Sequence, residues 1–162
     1  MLVLGSAEDI DPVVWSAWME GLRAHRGASL WLPFVHGHAS DNLRDHARHW
    51  GIPARRLVFA DPAGPAMDLS ALFPLADLAL DTILVSSPPH RTAAALSHAL
   101  PVLTLPGDCP ARRAAAGLAR AAGAEAWTTV RDSFEYEEVL VKLLASPGHL
   151  AAARSAISGA LG

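Results

Sequence analysis

Short apolar runs alternate with amphipathic stretches from one end of this chain to the other. That alternation constrains the fold more than any other feature. The apolar runs at 2–4, 29–35, 57–60, 78–80 and 102–105 read as strands, with the second broken or ended near Pro33, and 126–130 reads as a short last one. Between them lie helical patterns. Asp11-Pro12 opens the first, because Asp caps free amides and Pro suits a first turn. Val14, Trp18 and Leu22 recur on one face of it, and Gly27 ends it. Ser40 is placed to cap the next, which buries Leu43, Ala47 and Trp50 and stops at Gly51. Further helices are expected over 67–75, 91–100 and 108–122, the last stopped by Gly123. Asp132 and Glu135 have capping-box spacing before a helix that buries Tyr136, Leu140, Leu143 and Leu144. Ser146-Pro147 starts a final helix to about 161, so 133–161 is a pair of terminal helices.

Strands that alternate with helices pair in parallel, with helices on both faces. The expected fold is therefore an α/β, doubly wound, Rossmann-like parallel sheet. Its 162 residues suffice for one domain spanning 1–162. In such sheets the ligand crevice lies at the carboxyl ends of the strands. The segments placed there are 5–10, 35–39, 61–67, 81–90 and 106–109.

Composition excludes several function classes. The formal charge of -3 makes no electrostatic bid for nucleic acid or an anionic membrane. No apolar run approaches the roughly 18 residues that span a bilayer, and no signal peptide is evident. The single cysteine, Cys109, forms no intrachain disulfide and fits a reducing, cytoplasmic setting. Arginine outnumbers the one lysine, Lys142, which reads as the codon bias of a GC-rich genome.

Two loops run straight into expected helix starts, where free amides and the helix dipole favour an anion. One carries His90, Arg91 and Thr92, which all can donate to phosphate oxygens. The other is Pro106-Gly107-Asp108-Cys109. The competing reading is a plain capped helix with a solvated arginine. Glycine-rich dinucleotide and Walker signatures are absent, as is a Gly-x-Ser-x-Gly elbow. His36, His38, His46 and His49 cluster in sequence, but without a nearby cysteine or an H-E-x-x-H pattern they read as a solvated helix face and a polar loop, so no metal is expected. Cys109 at a helix start reads as a small residue rather than a nucleophile. Trp15, Trp18, Trp31 and Trp50 read as packing rather than a sugar-stacking platform.

Taken in order, particular segments carry a resemblance. They are Ile10-Asp11-Pro12 before a Trp-containing helix, Ser29-Leu30-Trp31-Leu32, Asn42-Leu43-Arg44, Gly51-Ile52 and Arg56-Leu57-Val58-Phe59. Leu75-Ala76-Asp77-Leu78-Ala79-Leu80-Asp81-Thr82 follows, then His90-x-Thr92, Pro101-Val102-Leu103-Thr104-Leu105-Pro106-Gly107, Arg113, Glu135-Tyr136-Glu137 and Val141-Lys142-Leu143. The ordered set resembles the C-terminal catalytic, donor-binding half of the O-GlcNAc transferase and Spindly-type protein O-glycosyltransferases, a family 41-like group of GT-B fold. The resemblance covers essentially the whole chain. It implies that this is one Rossmann-like half, that it binds a UDP-sugar as substrate without a metal or other cofactor, and that the sugar passes to a Ser or Thr hydroxyl. The partner it implies is a missing N-terminal half or an acceptor protein. The site residues it implies are His90, Arg91, Thr92, Gly64, Pro65, Gly107, Asp108 and Arg113.

Several positions depart from the family pattern. The family carries a lysine just before Ile-Asp-Pro; here the neighbours are Glu8 and Asp9, which repel a leaving diphosphate. The basic, histidine-containing helix start after the third strand is Pro65-Ala66-Met67-Asp68-Leu69 here. The family's His-Thr-Thr is His90-Arg91-Thr92, an extra residue enters near Pro88-Pro89, and Ala94 or Ala95 stands where the ribose-holding acid would be. The chain alone is therefore expected to be inactive. A degenerate, non-catalytic binding or scaffold module is the alternative, and an unrelated Rossmann-like hydrolase or mutase a remoter one.

Overall fold

A computed structural model describes residues 1–59 and 69–162. Five strands, β1 (Leu2–Val3), β2 (Leu30–Leu32), β3 (Leu57–Phe59), β4 (Ala79–Leu80) and β5 (Val102–Leu103), form one sheet in the order β3-β2-β1-β4-β5. Every pairing is parallel, with Leu2 opposite Trp31 on one side and Ala79 on the other. The expected doubly wound sheet is thus present.

Alternation along the strands divides the core in two. Val3, Leu30, Leu32, Leu78, Leu80 and Leu103 face one side, where they meet Val14, Trp18 and Leu22 of α1 (Pro12–Ala24) and Tyr136, Leu140 and Leu143 of α7 (Ser133–Ala145). Leu2, Leu4, Ala79 and Val102 face the other, against Phe73, Leu96, Leu100 and Ile157. Helices α1 and α7 pack closely because Gly21 has no side chain: a Cβ there would lie 2.9 Å from a Leu140 methyl.

The remaining helices are α2 (His38–His49), α3 (Leu69–Leu72), α4 (Pro89–Ser97), α5 (Ala114–Ala121), α6 (Glu125–Thr128) and α8 (Pro147–Leu161). Asp11 caps α1 as expected, one carboxylate oxygen accepting the amides of Val13 and Val14 at 2.8 and 3.0 Å. Asp132 likewise accepts the Glu135 amide at 2.8 Å. The return bond of that expected box is displaced by one residue, because Glu135 accepts from the Arg131 amide and guanidinium.

Among the boundaries that differ from the sequence expectation, three have a clear local cause. Helix α1 ends at Ala24, three residues before Gly27. Helix α2 begins at His38 after Gly37 (φ 61°), so Ser40 sits inside its first turn and bonds the Gly37 carbonyl instead of capping. Residues 126–130 do not form a strand: Gly123 turns the chain at φ 70° and α6 follows at once. A single parallel bridge, Thr104 to Thr129, is all that remains of the sixth strand.

Candidate functional site

The sheet order makes β1 the point of reversal. The chain steps from β1 to β2 and β3 on one side, then crosses back to β4 and β5 on the other. The crevice of such a sheet opens between the carboxyl ends of the two strands at the reversal, here β1 and β4. At β1 this end is Leu4-Gly5; at β4 it is Asp81-Thr82. The two tips touch, since a Cβ on Gly5 would lie 2.8 Å from the Thr82 methyl.

Asp81 organises the rim. It is fully buried, and its Oδ1 accepts the amides of Thr82 at 2.9 Å and Ser87 at 2.7 Å. Its Oδ2 accepts the Thr104 hydroxyl at 2.7 Å, which ties β4 to the end of β5. Burial pushes this carboxyl above the usual aspartate range, and the hydrogen bonds pull it partly back. The Asp81 carbonyl accepts the Tyr136 hydroxyl at 2.9 Å, and that hydroxyl accepts the Trp18 indole N–H at 3.2 Å. Helices α7 and α1 therefore brace the loop after β4 from below. Asp11 reaches the same loop through the Leu84 amide at 3.4 Å.

The β5 loop is joined to the β4 loop by Arg112. Its guanidinium donates to the Ile83 carbonyl at 2.8 Å, and its own carbonyl accepts the Gly107 amide at 3.0 Å and the Ser86 hydroxyl at 3.3 Å. Gly107 must be glycine here: a Cβ would come within 2.5 Å of Arg112 Nε.

The expected site residues fall into two groups on this rim. His90, Arg91 and Thr92 open α4. His90 is exposed, Arg91 half-buried, and Thr92 fully buried with a hydroxyl that has no partner among the described residues. Arg91 crosses the rim to donate from Nη1 to the Leu4 carbonyl at 2.8 Å, and its guanidinium lies 3.5 Å from the Phe34 ring centroid. Burial lowers its pKa, while the nearby charges of Asp9 and Glu8 raise it. Gly107, Asp108 and Arg113 meet further out, around a cleft of about 530 Å³ that also borders Arg120, Glu125 and Thr129. Arg113 donates to the Gly107 and Asp108 carbonyls, both at 2.8 Å, so it braces the loop. Gly64 and Pro65 lie outside the described residues. No hydrogen bond or ion pair joins the two groups directly among the described residues; Arg112, bonded to Ile83 and Ser86, ties the β5 loop to the 83–87 loop that leads into α4.

The helix start at α4 is poorer in amides than expected. Pro88 and Pro89 have no N–H, and the amides of Arg91 and Thr92 both turn back to the Pro88 carbonyl. Only the His90 amide is left without a partner among the described residues. The second expected start is also different: Cys109 precedes a 3₁₀ turn, Pro110–Arg113, and α5 begins only at Ala114. The α4 start therefore offers an anion its side chains more than its backbone amides.

Sequence reasoning missed Asp81, Arg112, Phe34 and the hydroxyl role of Tyr136. An acid directly after a buried run is a detectable signal for Asp81. Arg112 beside Arg113 carries none. Among the described residues, no group of three or more His, Cys, Asp or Glu is arranged to hold a metal ion. No helix of the described residues is long and apolar enough to cross a membrane.

Comparison with known proteins bears on the chain as a whole. Residues 6–160 match the model of the family described as glycosyl transferase family 41. A probable UDP-N-acetylglucosamine–peptide N-acetylglucosaminyltransferase SEC from Arabidopsis thaliana is 30% identical over 135 residues, 83% of this chain and 14% of that protein. A solved structure of the Thermobaculum terrenum O-GlcNAc transferase mutant K341M superposes with a TM-score of 0.86 at 29% identity. That match covers 99% of this chain and 31% of the other. The chain thus spans well under half the length of either relative.

Proposed function

The chain belongs to glycosyl transferase family 41, and from that premise we propose that it is the nucleotide-sugar-binding half of a protein O-glycosyltransferase. It presents a UDP-sugar on the strand-carboxyl rim, and a second half or an acceptor protein completes the site. The observation that carries this reading is the convergence of the β1 tip, the Asp81-anchored β4 loop and the α4 start at the reversal of a parallel sheet. That is where such folds receive a nucleotide.

In the transfer, an acceptor Ser or Thr hydroxyl attacks the anomeric carbon, the bond from that carbon to the diphosphate oxygen breaks, UDP leaves with the electron pair, and the hydroxyl proton passes to the departing diphosphate. Negative charge grows on the diphosphate, so cations placed beside it lower the barrier. His90 and Arg91 are the basic groups at the α4 start, and Thr92 adds a buried hydroxyl. Gly107, Asp108 and Arg113 shape the neighbouring loop, and the proposed site also includes Gly64 and Pro65, which lie outside the described residues. No metal takes part in this scheme. The lone exposed thiol, Cys109, suits a reducing, cytoplasmic setting.

One observation favours a second reading, a non-catalytic binding module. Burial lowers the Arg91 pKa, and the nearby charges of Asp9 and Glu8 act against that shift. Their charges oppose the build-up that leaving UDP requires. On the first reading the chain binds UDP, on the second it keeps the fold as a binding or scaffold module, and on neither does it transfer anything by itself.

Calorimetry with UDP tests the proposal, supported by thermal unfolding. At 100 times its Kd a ligand stabilises the fold by about 2.7 kcal/mol, a rise in Tm of about 5–10 °C for a domain of this size. A flat response up to millimolar UDP, with and without EDTA, removes the first reading. Binding with detectable transfer once an acceptor half is added separates the first from the second.

A further inference from the structure

Arg91 is held in a way that a solvated helix-start arginine is not. Its Nη1 is bonded to the Leu4 carbonyl at 2.8 Å, and its plane lies on Phe34, 3.5 Å from the ring centroid. The first contact comes from the β1 tip and the second from the turn after β2. Two elements remote in sequence thus fix the group in position and tilt. The bond to Leu4 uses only Nη1. In a guanidinium, Nε–H and the adjacent Nη2–H point the same way and form the side-on fork that fits two oxygens of a phosphate. Neither donates a hydrogen bond among the described residues. In the next residue, the Thr92 hydroxyl is wholly buried and has no partner among the described residues, an orphaned group that carries a desolvation cost.

Backbone donors do not compete for this role, because the two prolines strip the α4 start of all but one free amide. An arginine left mobile would lose rotamer freedom on gripping an anion. A ring pressed against its face removes most of that freedom beforehand.

We propose that Phe34 and the Leu4 carbonyl are a positioning pair that holds Arg91 so that its free Nε–Nη2 fork selects a diphosphate-bearing ligand over the bare nucleoside. This rests on the nucleotide-sugar reading of the rim. Phe34 acts through Arg91 and touches no ligand itself. Arg91 is the specificity-determining group.

The experiment measures the affinities of UDP, uridine and inorganic pyrophosphate by calorimetry for the whole 162-residue chain and its variants. The key readout is the ratio of UDP to uridine affinity, which a general loss of structure would not change selectively. Arg91→Ala should lower that ratio by about tenfold or more. Arg91→Lys, which keeps the charge and loses the fork, should recover only part of it. Phe34→Ala should lower the ratio with Arg91 intact, and Phe34→Tyr should restore it. Far-UV circular dichroism of each variant accompanies the titrations, and should Arg91→Ala fail to fold, Arg91→Lys and the Phe34 pair decide the matter.

Tight UDP binding with a ratio unmoved by Arg91→Lys or Phe34→Ala overturns this inference and leaves the nucleotide reading in place. Pyrophosphate binding that Arg91→Lys weakens, with UDP no tighter than pyrophosphate, upholds the fork and removes the nucleoside part of that reading. Binding of neither UDP nor pyrophosphate by the unaltered chain overturns both.

Discussion

Removing the Asp81 side chain should cost this fold more than almost any other single truncation on the rim. Asp81→Ala takes one acceptor group from three donors at once: the amides of Thr82 and Ser87 and the hydroxyl of Thr104. Each buried donor left unpaired costs roughly 1–3 kcal/mol. Relief of the burial penalty on a carboxylate offsets part of that loss. The expected net loss is about 3–5 kcal/mol, a large share of the roughly 5–15 kcal/mol that holds a typical domain together. Asp81→Asn should behave differently, for a geometric reason. Both amides converge on Oδ1, which an asparagine carbonyl reproduces. The amide nitrogen then takes the place of Oδ2, and the Thr104 hydroxyl can rotate to accept from it. The expected loss for this variant is about 1 kcal/mol.

Urea denaturation followed by far-UV circular dichroism measures both, with the m-value as a check that the unfolded states are comparable. The wild-type protein adds a pH signature. Burial raises the folded pKa of Asp81 above its unfolded value of about 3.9. Between those two values the folded state keeps the proton that the unfolded state releases. This group's contribution therefore falls as pH rises through that window, and grows as pH is lowered. Asp81→Asn lacks the titration, so the stability of the wild type relative to it should increase on acidification. An Asp81→Ala loss below about 1 kcal/mol, or a wild-type advantage that shrinks on acidification, would refute the reasoning.

Two further outcomes follow from single positions. Ala99 is held at φ 54° just past the end of α4, a left-handed conformation that an alanine adopts only at a cost. Ala99→Gly should stabilise the protein by about 1 kcal/mol, and an unchanged or lower midpoint in urea would count against that assignment. Glu8 is exposed on the β1–α1 loop and acts on Arg91 through its charge. Glu8→Gln should tighten UDP binding by roughly two- to fivefold at low salt, with the gain fading as salt screens it; calorimetry at two ionic strengths reads both effects. Asp9 is the wrong choice for that test, because its carboxylate accepts the Ser6 amide at 2.8 Å and shapes the loop.

The strands and most helices were legible because their signals are local. Val3, Leu80 and Leu103 sit in runs apolar on both faces, which only a covered parallel sheet accommodates. Asp11-Pro12 and Asp132 announce helix starts through chemistry contained within one turn. Where a signal was local but ambiguous, it misled. Thr128, Thr129 and Val130 look like a strand, yet the helix formers Ala124, Glu125 and Ala126 follow Gly123 and take the first turn. The site was less legible because its contacts are tertiary. Nothing near Arg91 in sequence names Phe34 or Leu4 as partners, and nothing near Asp81 names Thr104. Pro88 and Pro89 were visible as loop residues; their larger effect, emptying the helix start of amides, follows only once α4 is seen to begin at Pro89.

That last point changes how the rim recognises charge. A helix start that binds an anion through amides carries the donors in its backbone, so a side-chain substitution leaves them in place. Here all but the His90 amide are spent on the Pro88 carbonyl or absent, and on the proposed function the work passes to a guanidinium that lies on an aromatic ring from another element. A side-chain cation is open to its neighbours' charges in a way amides are not, and Glu8 and Asp9 stand beside it. On the proposed function, the rim therefore suits a selective grip on a diphosphate more than strong stabilisation of one as it leaves. Binding and turnover are separable on this geometry, and a chain can keep the first while weakening the second.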